Sequence, residues 1–111
     1  MSLESILDRK LRRLFPDEVQ RQEVVQELAR YGTESYEQEA VRVRLAVLKL
    51  AGADQARLHS LVDAAKSDFR DVLAWAEYPA QMKSDSWLLA PAENKLLVQQ
   101  DRDQYEDWLR E

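Results

Sequence analysis

Cysteine is absent from the 111 residues, and that one absence removes disulfides, thiol nucleophiles, iron–sulfur ligation and every zinc site built on a thiolate. A chain that carries no oxidisable thiol fits a reducing compartment, and the cytosol is the expected location. Glycine and proline are scarce, at two and three residues, so a loop-rich chain is excluded and long regular segments are left. Long apolar runs are missing as well: Leu45 to Leu48 is typical of the longest, against the roughly 20 residues that span a bilayer, so no membrane span is expected. At the N-terminus Arg9, Lys10, Arg12 and Arg13 interrupt the apolar positions, and no secretory leader is expected. A basic excess is also lacking. With 16 Lys and Arg against 21 Asp and Glu, the net charge is −5, which argues against a phosphate backbone as partner, so no nucleic acid is expected.

The residues that are plentiful are Ala, Leu, Glu, Gln, Arg and Lys, those that lose least on entering a helix. They predict an all-α fold, and the length predicts one domain over 1–111. Ser2 is placed to cap a first helix to about Leu14, with Leu3, Ile6, Leu7, Leu11 and Leu14 on one stripe. That helix must stop before Pro16, since a residue preceding proline is pushed out of the α region. Pro16 then suits the first turn of a second helix carrying Val19, Val24, Val25, Leu28 and Tyr31, with Gly32 as its C-terminal cap.

A third helix is expected from Thr33 or Ser35 to Ala51, because Ser35-x-x-Gln38 has capping-box spacing and Gly52 follows as a stop. Val41 to Leu45 alternates with period two, as a strand would, but Tyr36, Ala40, Val43, Val47 and Leu50 keep helical spacing throughout. The fourth helix is expected as one rod from the Asp54 cap to Pro79, with Leu58, Leu61, Val62, Ala65, Phe69, Val72, Leu73 and Ala76 on its buried stripe. Only Gly52 and Ala53 separate it from the third, which predicts a central antiparallel hairpin. After Pro79 the pattern loosens: 80–100 is expected to be loop-rich, with a turn at Ser84-Asp85-Ser86, an anchor at Trp87, and a short last helix from Asp101. Residues 80–111 are net −3 and residues 1–16 net +2, so the two ends are expected to attract each other.

Candidate functional residues fall into three groups. His59 and Asp63 stand four apart, the spacing of a metal-ligand pair or of an imidazole oriented by a carboxylate. Read as chemistry, they point to a small metal-dependent or carboxylate-based hydrolase; read as a surface pair, to nothing more. No nucleotide, metal or cofactor motif accompanies them, and no cofactor is expected. The second group, Asp68, Asp71, Trp75 and Tyr78, follows i, i+3, i+7 and i+10 beside the buried stripe. Aromatics bordered by charge are the composition of a partner-binding surface, although a Trp and a Tyr can equally cover the chain's own C-terminal segment, with Trp87 or Trp108 packed on them. The third group, the basic residues of the first helix opposite Leu3, Leu7, Leu11 and Leu14, has the pattern of a helix lying on an anionic membrane surface, or of one laying its stripe on a core.

The segment Asp68-Phe69-Arg70-Asp71-Val72-Leu73-Ala74-Trp75-Ala76-Glu77-Tyr78-Pro79 resembles a group of short, functionally uncharacterised bacterial proteins that share a D-[FY]-R-D-V-L-A-x-A-E-x-P stretch. The resemblance extends more loosely over Val43 to Leu50 and implies a bacterial, cytosolic origin. It transfers no activity, cofactor or catalytic residue. The residues therefore predict a bundle of four main helices plus a short C-terminal one. They favour a non-catalytic interaction or regulatory module binding another protein, or a second copy of itself, through Asp68, Asp71, Trp75 and Tyr78.

Overall fold

The computed structural model describes residues 2–83 and 91–111, which form seven α-helices and no strand among the described residues. The expected turn at Ser84-Asp85-Ser86 and the Trp87 anchor lie outside them. Helix α1, Leu3–Leu14, begins where Ser2 accepts the Ser5 N–H at 3.2 Å, and ends at Phe15, the residue before proline. Helix α2, Glu18–Leu28, starts two residues later than its sequence suggests. Asp17, not Pro16, governs the start by accepting the Val19 N–H at 3.2 Å, so Pro16 stands before the cap.

Two boundaries differ more. Helix α2 stops at Leu28 instead of continuing to Gly32, and helix α3 spans Ala40–Ala51 instead of starting at Thr33 or Ser35. Between them the chain folds around the Glu37 carboxylate, which collects the backbone N–H groups of Gly32, Thr33 and Glu34 and holds this stretch in a turn where a helix capped at Thr33 or Ser35 is expected. Arg44, projecting from α3, donates to the carbonyls of Leu28 at 3.2 Å and Tyr31 at 2.7 Å, fastening the turn that follows α2 to α3. The period-two stretch is helical: Val43 and Leu45 are buried together with Ala46, Val47 and Leu48, so α3 is covered nearly all round, as expected of the helix that packs against α1, α4 and α5.

The expected fourth rod is broken into α4, Gln55–Ser67, and α5, Phe69–Glu77. Asp68 sits between them with extended backbone (φ −157°, ψ 102°). Its N–H closes α4 on the Ala64 carbonyl at 2.9 Å, and its carboxylate opens α5 by accepting the Arg70 N–H at 3.0 Å. The apolar positions stay in phase across the break, so Leu58, Val62, Ala65, Val72 and Ala76 still enter one core with Val43, Val47 and Leu48. Helix α3 packs against α4, α5 and α1, and the short Gly52-Ala53 link makes α3 and α4 the antiparallel hairpin that the sequence implies.

The last third also departs from expectation. Residues 79–83 form a short α6, Pro79–Lys83, and α7 runs from Pro91 to Arg110, twenty residues, so the described part of 80–100 is helical and not loop-rich. Asp101 does not open a terminal helix. It lies inside α7, 2% exposed, and accepts the N–H groups of Ala80 at 2.9 Å and Gln81 at 3.2 Å, capping α6 from across the chain. Asp101 is the one buried residue of α7, which therefore lies along the outside of the molecule.

Candidate functional site

Helix α5 has two unlike faces. Val72, Leu73 and Ala76 are buried on α3, while Trp75 and Tyr78 are each 40% exposed. Trp108, one of the side chains that could have covered them, is engaged elsewhere: it stacks on Tyr105 at 5.8 Å between ring centres and receives the Lys10 ammonium at 4.4 Å. Of the acids in the stripe, Asp71 is exposed. Asp68 is bound by the Arg70 guanidinium at 3.0 and 3.1 Å, which, with the Arg70 N–H, holds its carboxyl below the ordinary range. The stripe is therefore split by function: Asp68 is a helix cap, and Asp71, Trp75 and Tyr78 face water.

Glu77, beside Tyr78, is turned the other way. Arg42 grips its carboxylate with Nε at 2.8 Å and Nη2 at 2.6 Å while its Nη1 reaches Glu39 at 2.8 Å, a fork that fastens α5 to α3. Lys49 donates to the Ala76 carbonyl at 2.7 Å and to Gln104 at 3.2 Å, and burial lowers its pKa. These cations fix the end of α5 against α3 and α7. Tyr78 then borders a concave space of about 320 Å³ lined also by Val98, Arg102, Tyr105 and Leu109 of α7. Burial, and then the neighbouring Glu77 charge, push the Tyr105 hydroxyl up to about 12, so it stays a neutral hydrogen-bonding group. Sequence reasoning missed the α7 wall, although Pro91 followed by Glu93 was the available sign of a helix start.

The His59 group is larger than the sequence suggests. His59 Nδ1 lies 2.7 Å from Glu27 of α2, its Nε2 lies 3.5 Å from Asp63, and Arg30, just beyond the end of α2, binds both Glu27 and Asp63, the latter at 2.7 Å. Among the described residues no group of three or more His, Cys, Asp or Glu is arranged to hold a metal ion. The guanidinium between the carboxylates opposes a cation there, and by holding Asp63 below its ordinary range makes it a poor proton donor. What the four side chains do is tie α2 to α4.

On α1 the apolar stripe is used internally: Leu11 is buried, and Leu7 and Leu14 pack against the core. Arg9 and Lys10 donate to the carbonyls of Leu109 and Trp108 at the end of α7, where a helix presents the negative end of its dipole. The two chain ends thus meet, and burial lowers the Lys10 pKa. No helix of the described residues is long and apolar enough to cross a membrane.

A fourth cluster has no counterpart in the sequence reading. The Glu37 side chain is 2% exposed, and its Oε1 accepts the backbone N–H groups of Gly32, Thr33 and Glu34, each at 3.1 Å, while Oε2 accepts from Lys66 at 2.8 Å. Three N–H groups converging on one oxygen form an anion cradle filled by the chain's own carboxylate. The Lys66 ammonium first, and the N–H groups of Glu34 and Gly32 after it, outweigh burial and hold the carboxyl at about 2 against an ordinary 4.5. Because the folded pKa is depressed, this contribution to stability is complete above pH 4.5, shrinks as the pH falls and is gone below about 2. Glu37→Gln is expected to be less stable than the parent at pH 7, with the difference narrowing steadily toward pH 2. Urea titrations at several pH values check it, and a gap that does not change with pH would show that the charge of Glu37 is not what matters.

No family model, curated protein or solved structure gives a significant match to this chain.

Proposed function

We propose that this protein is a non-catalytic interaction module, cytosolic and bacterial, that binds a protein partner through the outer face of α5. The reading rests on one observation: Trp75 and Tyr78 remain 40% exposed although the opposite face of the same helix is buried. Large aromatics on a rigid helix lose little freedom on binding and supply much contact area, which is why they dominate interface energetics. Asp71 adds a charge at the rim, where it selects among partners more than it strengthens any one. The bacterial origin is supported by the resemblance of 68–79 to short bacterial proteins, and the cytosolic location by the absence of cysteine.

The test uses the whole chain. Trp75→Ala is expected to leave the far-ultraviolet circular dichroism unchanged while weakening association by about 2 kcal/mol, roughly thirtyfold. Sedimentation equilibrium reads self-association, and site-specific photocrosslinking from position 71 in bacterial cells reads association with another protein. A Trp75→Ala chain that loses its helical signal would return Trp75 to a structural role; one that folds and associates as before would remove α5 from the interface.

A further inference from the structure

The concave space beside Tyr78 does not end there. A second one, of about 360 Å³, is bordered by Ile6 and Arg9 of α1 and shares Glu106 and Leu109 of α7 with the first. The two adjoin at Glu106 and Leu109, and the groove they are taken to form follows the flank of α7 that carries Val98, Arg102, Tyr105 and Leu109, spaced i, i+4, i+7 and i+11. From Val98 to Leu109 that flank is about 16 Å long at 1.5 Å per residue, the length of three helical turns. Its apolar lining is the half-buried Val98, Tyr105, Leu109 and Ile6 together with the exposed Tyr78, contributed by α7, α1 and the end of α5. Such a lining matches the anchors a helix presents at i, i+3/i+4 and i+7.

The charges around this groove are unequal in their commitments. Glu77 is held by Arg42 at 2.6 Å, Glu106 faces Arg110 at 3.9 Å, and Arg9 donates to the Leu109 carbonyl. Arg102 is different: it lines the groove, is exposed, and has no hydrogen-bond or ion-pair partner among the described residues. An apolar helix laid over it would bury a guanidinium without a counterion, which is strongly unfavourable; a carboxylate at that point turns the penalty into a charge-assisted hydrogen bond. Arg102 is thus the groove cation that no acceptor among the described residues engages. One such cation falls far short of what nucleic acid binding requires.

We propose that this groove receives an amphipathic helix of a protein partner, with an Asp or Glu of that helix seated against Arg102. The inference rests on the interaction reading above, since Tyr78 belongs to both surfaces, and it adds the partner's chemistry. Trp75 and Asp71 precede Tyr78 by one and two turns of α5, so a helix leaving the groove at that end passes over the exposed face of α5.

The probe is a displayed library of peptides about 16 residues long, with apolar residues fixed at helical spacing and the intervening positions randomised among acidic, basic and neutral residues. It is selected on the whole protein, on Arg102→Glu and on Trp75→Ala, each first shown to be folded by circular dichroism. The expected result is that the parent enriches peptides with an acid at one fixed offset from the anchors and that Arg102→Glu enriches Lys or Arg there. Exchanging that acid for Lys should weaken binding to the parent by about tenfold or more and restore it on the variant. Failure of the library to enrich, or an identical charge preference on parent and Arg102→Glu, overturns the proposal. So does sedimentation equilibrium showing that a second copy of the chain fills the groove, or binding seen only to anionic vesicles. Loss of peptide binding in Trp75→Ala with no effect of Arg102→Glu would leave the α5 interface standing and remove the acidic helix. The converse, a charge switch with Trp75→Ala unaffected, would keep the acidic helix and remove Trp75 from the interface.

Discussion

Leu48→Ala is expected to lower the stability of the fold by about 2–5 kcal/mol, a large share of the roughly 5–15 kcal/mol that holds a domain of this size together. Leu48 is 0% exposed, near the end of α3, the helix that packs against α1, α4 and α5. Removing three carbons there forfeits the transfer energy of the side chain and leaves a cavity whose walls belong to a shared core. Closing it would require helices to move toward α3, and the α3–α5 approach is already set by the Arg42–Glu77 fork. The cavity is therefore expected to persist, which places the loss toward the upper part of that range. Thermal denaturation should show a midpoint lower by roughly 10–25 °C. A fall of only a few degrees would mean that the core collapses freely around α3 and that the ion pair is no constraint.

Gly32→Ala is the second large effect, and it has two separable causes. Gly32 has φ +106°, a conformation L side chains rarely adopt, and a Cβ built there would lie 2.9 Å from both the Ala40 Cβ and the Arg44 Nη2. The first cause is backbone strain of about 1–3 kcal/mol, and the second is an overlap of similar size. Neither neighbour yields easily: Ala40 opens α3, and Arg44 is occupied with the carbonyls of Leu28 and Tyr31. Gly52 is the control, since its φ is +61° but nothing lies within 4 Å of an added Cβ. Gly52→Ala should therefore show the strain alone, and the difference between the two variants in urea titration should report the overlap. Equal losses would show that contact with Ala40 and Arg44 contributes nothing. Gly32→Ala should also weaken the acid dependence assigned to Glu37, because the Gly32 N–H is one of the donors to that carboxylate.

The features legible in the sequence are those set by neighbours in the chain. Ser2 and Asp54 cap the helices they precede because a side-chain oxygen reaches an N–H three residues on, whatever the rest of the molecule does. The break at Asp68 was harder to see for a definite reason. Leu58, Leu61, Val62, Ala65, Phe69, Val72, Leu73 and Ala76 keep a helical count straight through it, and periodicity does not register a single extended residue that leaves the phase intact. The residue type was the available signal, since Asp is a common cap and an uncommon interior residue. In the same way Ser35-x-x-Gln38 had the spacing of a capping box and lost to the cradle around Glu37, whose decisive donor, Lys66, comes from α4.

Asp71, Trp75 and Tyr78 were marked by spacing, but spacing gives only their common flank. That the aromatics stay exposed was decided by α3 covering the opposite flank and by Trp108 turning to Lys10 and Tyr105. The groove along α7 could not be anticipated at all, because its walls are drawn from α1, α5 and α7, far apart in the chain.

Helical class, the caps at Ser2, Gly52 and Asp54 and the buried stripe from Leu58 to Ala76 were determined by the sequence alone, since backbone propensity and the 3.6-residue repeat act over a few residues, whereas Val19, Val25 and Tyr36, placed on inward stripes by the same count, are exposed. Where each polar side chain finds its partner was decided only by the tertiary structure. Burial makes an unpaired charge so unfavourable that Glu37, Glu77, Asp101 and Lys10 each settle against groups on distant segments that no local pattern names.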